Sequence, residues 1–169
     1  MKNLVLIGMP GSGKSSLGRL LADRLGMKFA DTDQMIEAAE GKTISEIFAQ
    51  KGEECFRDLE SYWIAEAAGA ENTIIATGGG AILREENRRT LRENGVVFFI
   101  DRPPELILKS ADLSDRPLLA EDWERIYRLY DQRIGLYLAC ADCRVLNVGT
   151  PEQAAERIYS FYKEGGEPK

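Results

Sequence analysis

The stretch GMPGSGKSS, residues 8–16, limits the possible folds of this chain more than any other part of the sequence. It matches the pattern G-x-x-x-x-G-K-[ST], and it lies between a short apolar run and a segment with helical periodicity. In this context the glycines let backbone N–H groups turn inward around an anion, and the start of the following helix adds positive potential. The stretch therefore predicts a strand, a phosphate-binding loop and a helix, in that order.

The same loop carries the first candidate functional residues. We expect Lys14 to reach the terminal phosphates of a nucleoside triphosphate and the Ser15 hydroxyl to bind Mg²⁺. The full set of expected nucleotide contacts in the loop is Gly11, Ser12, Gly13, Lys14, Ser15 and Ser16.

Short apolar runs alternate with helix-patterned segments along the rest of the chain. The predicted strands are residues 4–7, 28–30, 73–76, 96–100 and 145–148. The predicted helices are residues 14–25, 43–68, 84–93, 105–109, 121–138 and 151–162. Runs of this kind are typical of strands buried on both faces of a parallel sheet. We therefore predict a three-layer α/β fold with a five-stranded parallel sheet, in a single domain over residues 1–169.

Three segments stand apart from this core. The connection over residues 31–72 is about twice as long as a simple crossover requires, and we assign a substrate-binding insert to residues 31–63. Residues 110–120 break helical pattern and are predicted to form a lid. Residues 163–169, rich in glycine, are predicted to be a frayed tail.

Composition excludes several classes of protein. The net charge of −6 argues against a nucleic-acid partner held by a broad basic surface. No apolar run approaches the roughly 20 residues of a membrane span, and the N-terminus leads into a strand rather than a signal peptide, so we expect a cytoplasmic protein without a membrane partner. Cys140 and Cys143 form a C-x-x-C without a second pair, and the chain has no histidine, which favours a structural role over a zinc or redox site.

Three uses of a bound nucleotide compete. A GTPase switch should carry Asn-Lys-x-Asp, which does not occur in the sequence. A motor-type ATPase should end an apolar strand with a metal-binding aspartate, as Asp101 does in VVFFID. However, Arg102, Pro103 and Pro104 follow, so we prefer a strand-end or capping role for Asp101. Phosphoryl transfer to a small molecule is the third use, and the insert and lid would supply its acceptor site.

Candidate acceptor residues lie after the third strand and on the flanking helices. The stretch TGGG, residues 77–80, allows close backbone approach and N–H donation to a ligand. Arg57 lies in the insert, Arg116 in the lid and Arg133 on the helix after the lid.

Six motifs in order carry a resemblance to a known family over nearly the whole chain. They are GMPGSGKSS, FADTD, GEECFRDLE, TGGGAI, DRPLL and RIGLYLACAD. With these motifs the chain resembles the shikimate kinases. The resemblance implies a nucleoside-monophosphate-kinase-like fold, and transfer of the γ-phosphate of ATP to the 3-hydroxyl of shikimate in aromatic amino-acid biosynthesis.

The resemblance also implies roles for individual residues. Arg57 and Arg133 would hold the substrate carboxylate, and Arg116 would close onto the ATP phosphates. Gly78, Gly79 and Gly80 would line the shikimate pocket, and Asp33 would bind the ring hydroxyls. Together these roles make Lys14, Asp33 and Arg116 the candidate catalytic residues.

One position and one segment are less typical of the family. Lys109 stands where many members have an arginine beside the adenine, and the lid is short and acidic. Thr150 falls in the loop that reaches the adenine in relatives, so we include it among the expected nucleotide contacts.

Asp31 and Asp33 leave two interpretations open. If the second strand continued through them, both side chains would point the same way. Alternatively, Thr32 or Asp33 would cap or begin a helix at Gln34. With the other motifs, we expect Asp31 beside Ser15 in the Mg²⁺ shell, and Asp33 on the acceptor side, orienting or deprotonating its hydroxyl.

Two other functions stay open at this point. One is a related kinase for another hydroxy acid, such as gluconate. The other is an ATP-binding regulatory module without a small acceptor, in which Arg57 and Arg133 would be dispensable. We expect a monomer that binds ATP and shikimate.

Overall fold

The computed structural model describes residues 2–111 and 120–165. The strands are β1 (Asn3–Ile7), β2 (Lys28–Asp31), β3 (Thr73–Ala76), β4 (Gly95–Asp101) and β5 (Cys143–Leu146). The helices are α1 (Lys14–Leu25), α2 (Thr32–Glu40), α3 (Ile44–Ala68), α4 (Glu85–Asn94), α5 (Pro104–Ala111), α6 (Ala120–Cys140) and α7 (Pro151–Lys163).

The five strands form one sheet in the order β2-β3-β1-β4-β5, and every neighbouring pair is parallel. Strand β1 lies at the centre, where Leu4 pairs with Ile74 of β3 on one side and Val96 of β4 on the other. The loops that leave β1 and β3 therefore emerge side by side at the carboxyl edge of the sheet, where open α/β sheets bind their ligands.

Strand β1 also shows why the sheet is covered on both faces. Val5 and Ile7 belong to a core cluster that includes Ile64 of α3, Leu91 of α4 and Tyr137 of α6. Leu4 and Leu6 belong to a second cluster that includes residues of α1 and α7. Because successive side chains of a strand point to opposite faces, this division gives helix, sheet and helix layers. The predicted three-layer fold is confirmed.

The bounds of the predicted strands and helices agree with the structure within two residues, but the last strand is shifted as a whole and α2 was not among the predicted helices. The last strand was predicted at 145–148, but it pairs with β4 over Cys143–Leu146. Only Val145 of its four residues is buried, so apolarity is a poor guide to the register of this edge strand. Helix α2 is absent from the predicted helices, although a helix beginning at Gln34 was one of the two interpretations of Asp31 and Asp33.

The predicted insert consists of α2 and the first part of α3. Ile36, Ile47 and Phe56 form a small core of its own, separate from the two main clusters. The prediction of one continuous helix over 43–68 is wrong at Gly52, where φ of 81° and ψ of 171° interrupt the helix. Glycine reaches a positive φ without steric penalty, so it permits this bend.

The other predicted segments fall partly outside the described residues. Of the lid at 110–120, residues 112–119, including Arg116, lie outside them, while Ser110 belongs to α5 and Ala120 to α6. Of the tail at 163–169, Lys163 ends α7 and residues 166–169 lie outside them. Over residues 2–111 and 120–165, no helix is long and apolar enough to span a membrane.

Asp101 and the cysteines take structural places. Asp101 is buried at the end of β4, where it accepts hydrogen bonds from Tyr130 Oη at 3.0 Å and Arg144 Nη2 at 2.5 Å. Its oxygens are thus occupied by protein donors, in line with the strand-end role. Cys140 ends α6 and Cys143 begins β5, both with free thiols.

Candidate active site

The phosphate loop connects β1 to α1 and is held by its own atoms. Lys14 is buried, and its Nζ donates to the carbonyl oxygens of Gly8 at 2.8 Å and Met9 at 2.7 Å, and to Ser12 Oγ at 3.2 Å. Burial is the main reason that the pKa of Lys14 is lowered to about 8, although Asp33 and Asp31 oppose the change. A Cβ at Gly8 would lie 2.5 Å from the Ile100 carbonyl oxygen, so only glycine lets the loop leave β1 this close to β4.

Asp31 links the phosphate loop to the insert. Ser15 Oγ donates to Asp31 Oδ2 at 2.5 Å, and the N–H of Gln34 donates to Asp31 Oδ1 at 3.1 Å. Asp31 is therefore both the last residue of β2 and the N-cap of α2. The expected neighbourhood of Ser15 and Asp31 is present.

Asp33 reaches the cavity from a helix and not from a strand. The strand ends at Asp31, so the interpretation in which it continues through Asp33 is wrong, and the helix begins at Thr32 rather than Gln34. The first turn of α2 nevertheless directs the carboxylate into the cavity. Its Oδ1 lies so close to Gly78 that a Cβ there would be 2.6 Å from it. Burial, then Glu60 and Asp31, raise the pKa of Asp33 to about 6.

Arg57 and Glu60 form a buried ion pair on α3. Arg57 Nη1 donates to Glu60 Oε1 at 2.8 Å, and the two side chains are 11% and 1% exposed. The Arg57 guanidinium also lies over the rings of Phe56 and Phe48. Burial raises the pKa of Glu60 in spite of Arg57. Within the described residues, Arg57 Nε, Glu60 Oε2 and Asp33 Oδ1 are buried without a hydrogen-bond partner, which is unusual for buried polar atoms.

Each glycine of the triplet after β3 lies against a different functional group. A Cβ would lie 2.6 Å from Asp33 Oδ1 at Gly78, 2.5 Å from Pro10 Cδ at Gly79 and 2.4 Å from Arg57 Nη1 at Gly80. The three glycines thus allow the insert and the phosphate loop to approach one backbone segment. A simple turn would not require all three.

These groups line one cavity of about 840 Å³. It brings together most of the predicted site residues: Gly11, Ser12, Gly13, Lys14, Ser15, Ser16, Asp31, Asp33, Arg57, Gly78, Gly79, Gly80 and Arg133. Thr150 is not part of this lining; it is the N-cap of α7, in a reciprocal hydrogen-bond pair with Gln153. Arg116 lies outside the described residues.

Sequence reasoning missed several residues of the cavity and of its support, and three of them carry buried polar contacts. Glu60 is three residues after Arg57, a spacing that places two side chains on one helix face and was a usable signal. Asn147 donates through Nδ2 to the Ser12 carbonyl at 2.8 Å, and Tyr137 donates to the Gly79 carbonyl at 2.6 Å. Neither contact has a local signal, because each joins segments far apart in the chain.

A family model described as shikimate kinase matches residues 10–163. The chain belongs to the shikimate kinase family. A shikimate kinase from Clostridium botulinum (strain Alaska E43 / Type E3) is 48% identical over 159 residues, covering 94% of this chain and 96% of the relative. One from Persephonella marina is 43% identical over 160 residues, covering 94% and 97%.

Solved structures agree with this membership. A shikimate kinase from Acinetobacter baumannii, in complex with shikimate, has a TM-score of 0.90 at 34% identity, over 98% of this chain and 94% of that one. A gluconokinase from Sinorhizobium meliloti has a TM-score of 0.58 at 14% identity, over 96% and 97%, and shows a common fold only. The predicted family and P-loop kinase fold are confirmed, as is the activity that defines the family, phosphotransfer from ATP to an alcohol group of shikimate in aromatic amino-acid biosynthesis.

Proposed function

We propose that this cavity is where the protein transfers the γ-phosphate of ATP to the 3-hydroxyl of shikimate. The observation that carries the proposal is the position of Asp33, Arg57 and Arg133 around the same cavity as Lys14 and the phosphate loop. Phosphoryl transfer needs a donor and an acceptor held in line at short range, and this arrangement provides one place for each.

The phosphate loop would hold ATP. In the structure Lys14 donates to loop carbonyls, and phosphate oxygens are stronger acceptors for an ammonium group. We infer that Lys14 exchanges those carbonyls for the terminal phosphates when ATP binds. The negative charge of bound phosphates favours the protonated amine, so we expect nucleotide binding to raise the pKa of Lys14 from about 8.

Ser15 and Asp31 fit a magnesium ion. Both offer oxygen atoms, the ligands that this hard cation prefers, and they already lie within hydrogen-bonding distance of each other. The described residues contain no cluster of three or more His, Cys, Asp or Glu side chains that could hold a metal. Sites with one or two protein ligands, completed by phosphate and water, are usual for Mg²⁺. When bound, the ion would neutralise charge on the phosphates.

The opposite side of the cavity would hold shikimate. Arg57 and Arg133 can pair with its carboxylate, for which the planar guanidinium is suited. Arg57 is held in place by Glu60 and has an unpartnered Nε. The N–H groups of Gly78 to Gly80 can donate to ring substituents.

Asp33 would bind the hydroxyl that receives the phosphate. With a pKa of about 6 it is mostly ionised at neutral pH and is a hydrogen-bond acceptor poised to take the proton of that hydroxyl. In a loose transition state, orientation of the nucleophile and stabilisation of charge supply most of the rate enhancement. The role of Asp33 as an orienting group and its role as a base are therefore compatible.

The remaining assignments extend the same proposal. We infer one kinase domain with a substrate-binding insert at 31–63 and a lid at 110–120 that carries Arg116 over the phosphates. Thr150 would approach the adenine through its hydroxyl, which accepts from the Gln153 N–H and still has its own hydrogen to donate, whereas its backbone N–H already donates to Gln153 Oε1. We also infer that the protein is a monomer that acts in the cytoplasm without nucleic-acid or membrane partners. Light scattering in solution tests the oligomeric state.

A coupled assay for ADP release tests the function directly. We expect ADP release from ATP and Mg²⁺ to be slow alone, to rise on addition of shikimate and to stay slow on addition of gluconate. A rise with gluconate but not with shikimate would contradict the acceptor. An unchanged rate with either acid would contradict the kinase assignment and favour the regulatory module.

A further inference from the structure

Tyr137 is a buried tyrosine that the proposed mechanism does not use. It lies on α6 one helical turn after Arg133, and its side chain is fully buried. Its ring stacks on Phe99 of β4 with centroids 4.9 Å apart and planes inclined by 15°. Its hydroxyl donates to the Gly79 carbonyl at 2.6 Å. The side chain thus bridges the central sheet and the glycine triplet.

The hydrogen bonds of the triplet show what this contact does. The Gly78 carbonyl accepts from the Ala81 N–H and the Gly80 carbonyl from the Leu83 N–H, both at 3.1 Å. Tyr137 supplies the partner of the carbonyl between them. In residues 2–111 and 120–165, the N–H groups of the triplet have no acceptor of their own. All three carbonyls are therefore fixed, and all three donors are free for a ligand.

The position of Gly79 makes its orientation important for both halves of the site. Its Cα lies against Pro10 of the phosphate loop, and its neighbours lie against Asp33 and Arg57. A rotation of the peptide after Gly79 would turn the Gly80 N–H away from its present direction. The phenol prevents this rotation, because a rotated carbonyl would leave the hydroxyl buried and unpaired.

We propose that Tyr137 is a positioning residue for the acceptor. It fixes the Gly79–Gly80 peptide. The glycine N–H groups and Arg133, which is four residues before Tyr137 on α6, can then bind one substrate in a constant relative position. The proposal rests on the proposed function, since it assumes that the acceptor binds at the triplet. Pre-positioned donors bind without first being ordered, which is why the effect should appear in acceptor affinity.

The test is Tyr137→Phe, which keeps the stacked ring and removes only the hydroxyl. We expect KM for shikimate to rise about tenfold while KM for ATP changes less than about twofold. The matched control is Tyr130→Phe, on the same helix, whose hydroxyl bonds Asp101 outside the cavity. Both variants lose one phenol hydrogen bond and some thermal stability, but only the first should change KM for shikimate. Equal shikimate KM in wild type and Tyr137→Phe would overturn the proposal.

A second variant covers the case in which Tyr137→Phe does not fold. Incorporation of 3,5-difluorotyrosine at position 137 keeps the ring and the hydroxyl but makes the hydroxyl more acidic. Burial raises the pKa of Tyr137 itself to about 12, although the neighbouring Arg133 and Arg57 oppose the change and Glu60 adds to it, so the natural residue stays a donor in the assay range. The fluorinated protein should show a larger rise in shikimate KM than wild type between about pH 8 and about pH 10. Parallel profiles would overturn the proposal. If wild-type protein did not phosphorylate shikimate at all, the proposed function would have failed instead.

Discussion

The two halves of the cavity are built in different ways. In the phosphate half, Lys14 finds all its partners within six residues of the same loop. In the acceptor half, Asp33, Arg57, Gly80 and Arg133 come from four separate segments, and buried polar atoms of Asp33, Arg57 and Glu60 have no partner among the described residues. In the phosphate half the Lys14 ammonium group is fully bonded, although Asn147 from a distant loop supports the Ser12 carbonyl and keeps an Oδ1 without a partner in the described ranges. Over the same ranges, the acceptor half carries more unpartnered side-chain atoms, which a ligand would complete. Unpaired buried polar groups are costly, so their concentration in one half marks it as the side shaped for recognition.

The largest expected effect concerns the charge of the phosphate half. Lys14→Met should lower kcat/KM by about 10³-fold, because it removes the buried cation of the phosphate loop. Steady-state kinetics measure the change, and the exposed Lys28→Met is the control. A loss below about tenfold would mean that another cation, such as the lid arginine, neutralises the phosphates.

The second effect tests the acceptor half alone, with a substitution that removes a charge and keeps the shape of the side chain. Asp33→Asn should lower kcat about 10²-fold and leave the affinity for ATP unchanged, because it removes the acceptor for the hydroxyl proton. Isothermal titration with ATP in the presence of Mg²⁺ gives the affinity. Loss of ATP binding would place Asp33 on the metal side and break the division between the halves.

The same variant should be more stable than wild type at neutral pH. The pKa of Asp33 is raised from 3.8 to about 6, so the folded state holds this proton more tightly than the unfolded state. Its favourable contribution is complete below about pH 4 and is lost as the pH rises through about 6. At pH 7 the ionised carboxylate destabilises the fold, and Asp33→Asn should add about 2 kcal/mol to the free energy of unfolding in urea. A variant less stable than wild type at pH 7 would contradict the raised pKa.

A smaller effect tests the geometry of the acceptor half. Arg57→Lys should raise KM for shikimate about tenfold and leave KM for ATP nearly unchanged, since lysine keeps the charge but loses the two-pronged contact. The control is Arg24→Lys, which alters a surface ion pair with Glu156. Unchanged kinetics would remove Arg57 from the site.

The smallest effect tests whether the phosphate half is self-supporting. Asn147 lies in the loop that follows β5, and Asn147→Ala removes its hydrogen bond to the Ser12 carbonyl. Because the loop has its own internal bonds, KM for ATP should rise only about threefold. Asn94→Ala, which removes an exposed hydrogen bond to Thr90, is the control. A rise comparable to that of Lys14→Met would show that the loop depends on distant support after all.

The sequence determined the local features of this protein. The phosphate loop could be predicted in full because its glycine conformations, its lysine and the start of α1 follow from neighbouring residues. The parallel sheet could be predicted because strands buried on both faces leave uninterrupted apolar runs. Asp33, Arg57, Arg133 and the triplet were named from motifs, but residue types alone did not show how they meet.

Only the tertiary structure showed how these residues come together in the cavity. A Cβ at Gly80 would displace the Arg57 guanidinium from its present place, and Asp33 faces the cavity from α2 rather than from β2. The roles of Glu60 and Tyr137 likewise depend on burial and on contacts between distant segments. The physical reason is range: a loop whose lysine bonds to carbonyl groups of the same loop is encoded largely within a few residues. The acceptor half combines charged side chains and free N–H donors from segments that are remote in the chain. It forms only when the folded chain packs these segments together and excludes water.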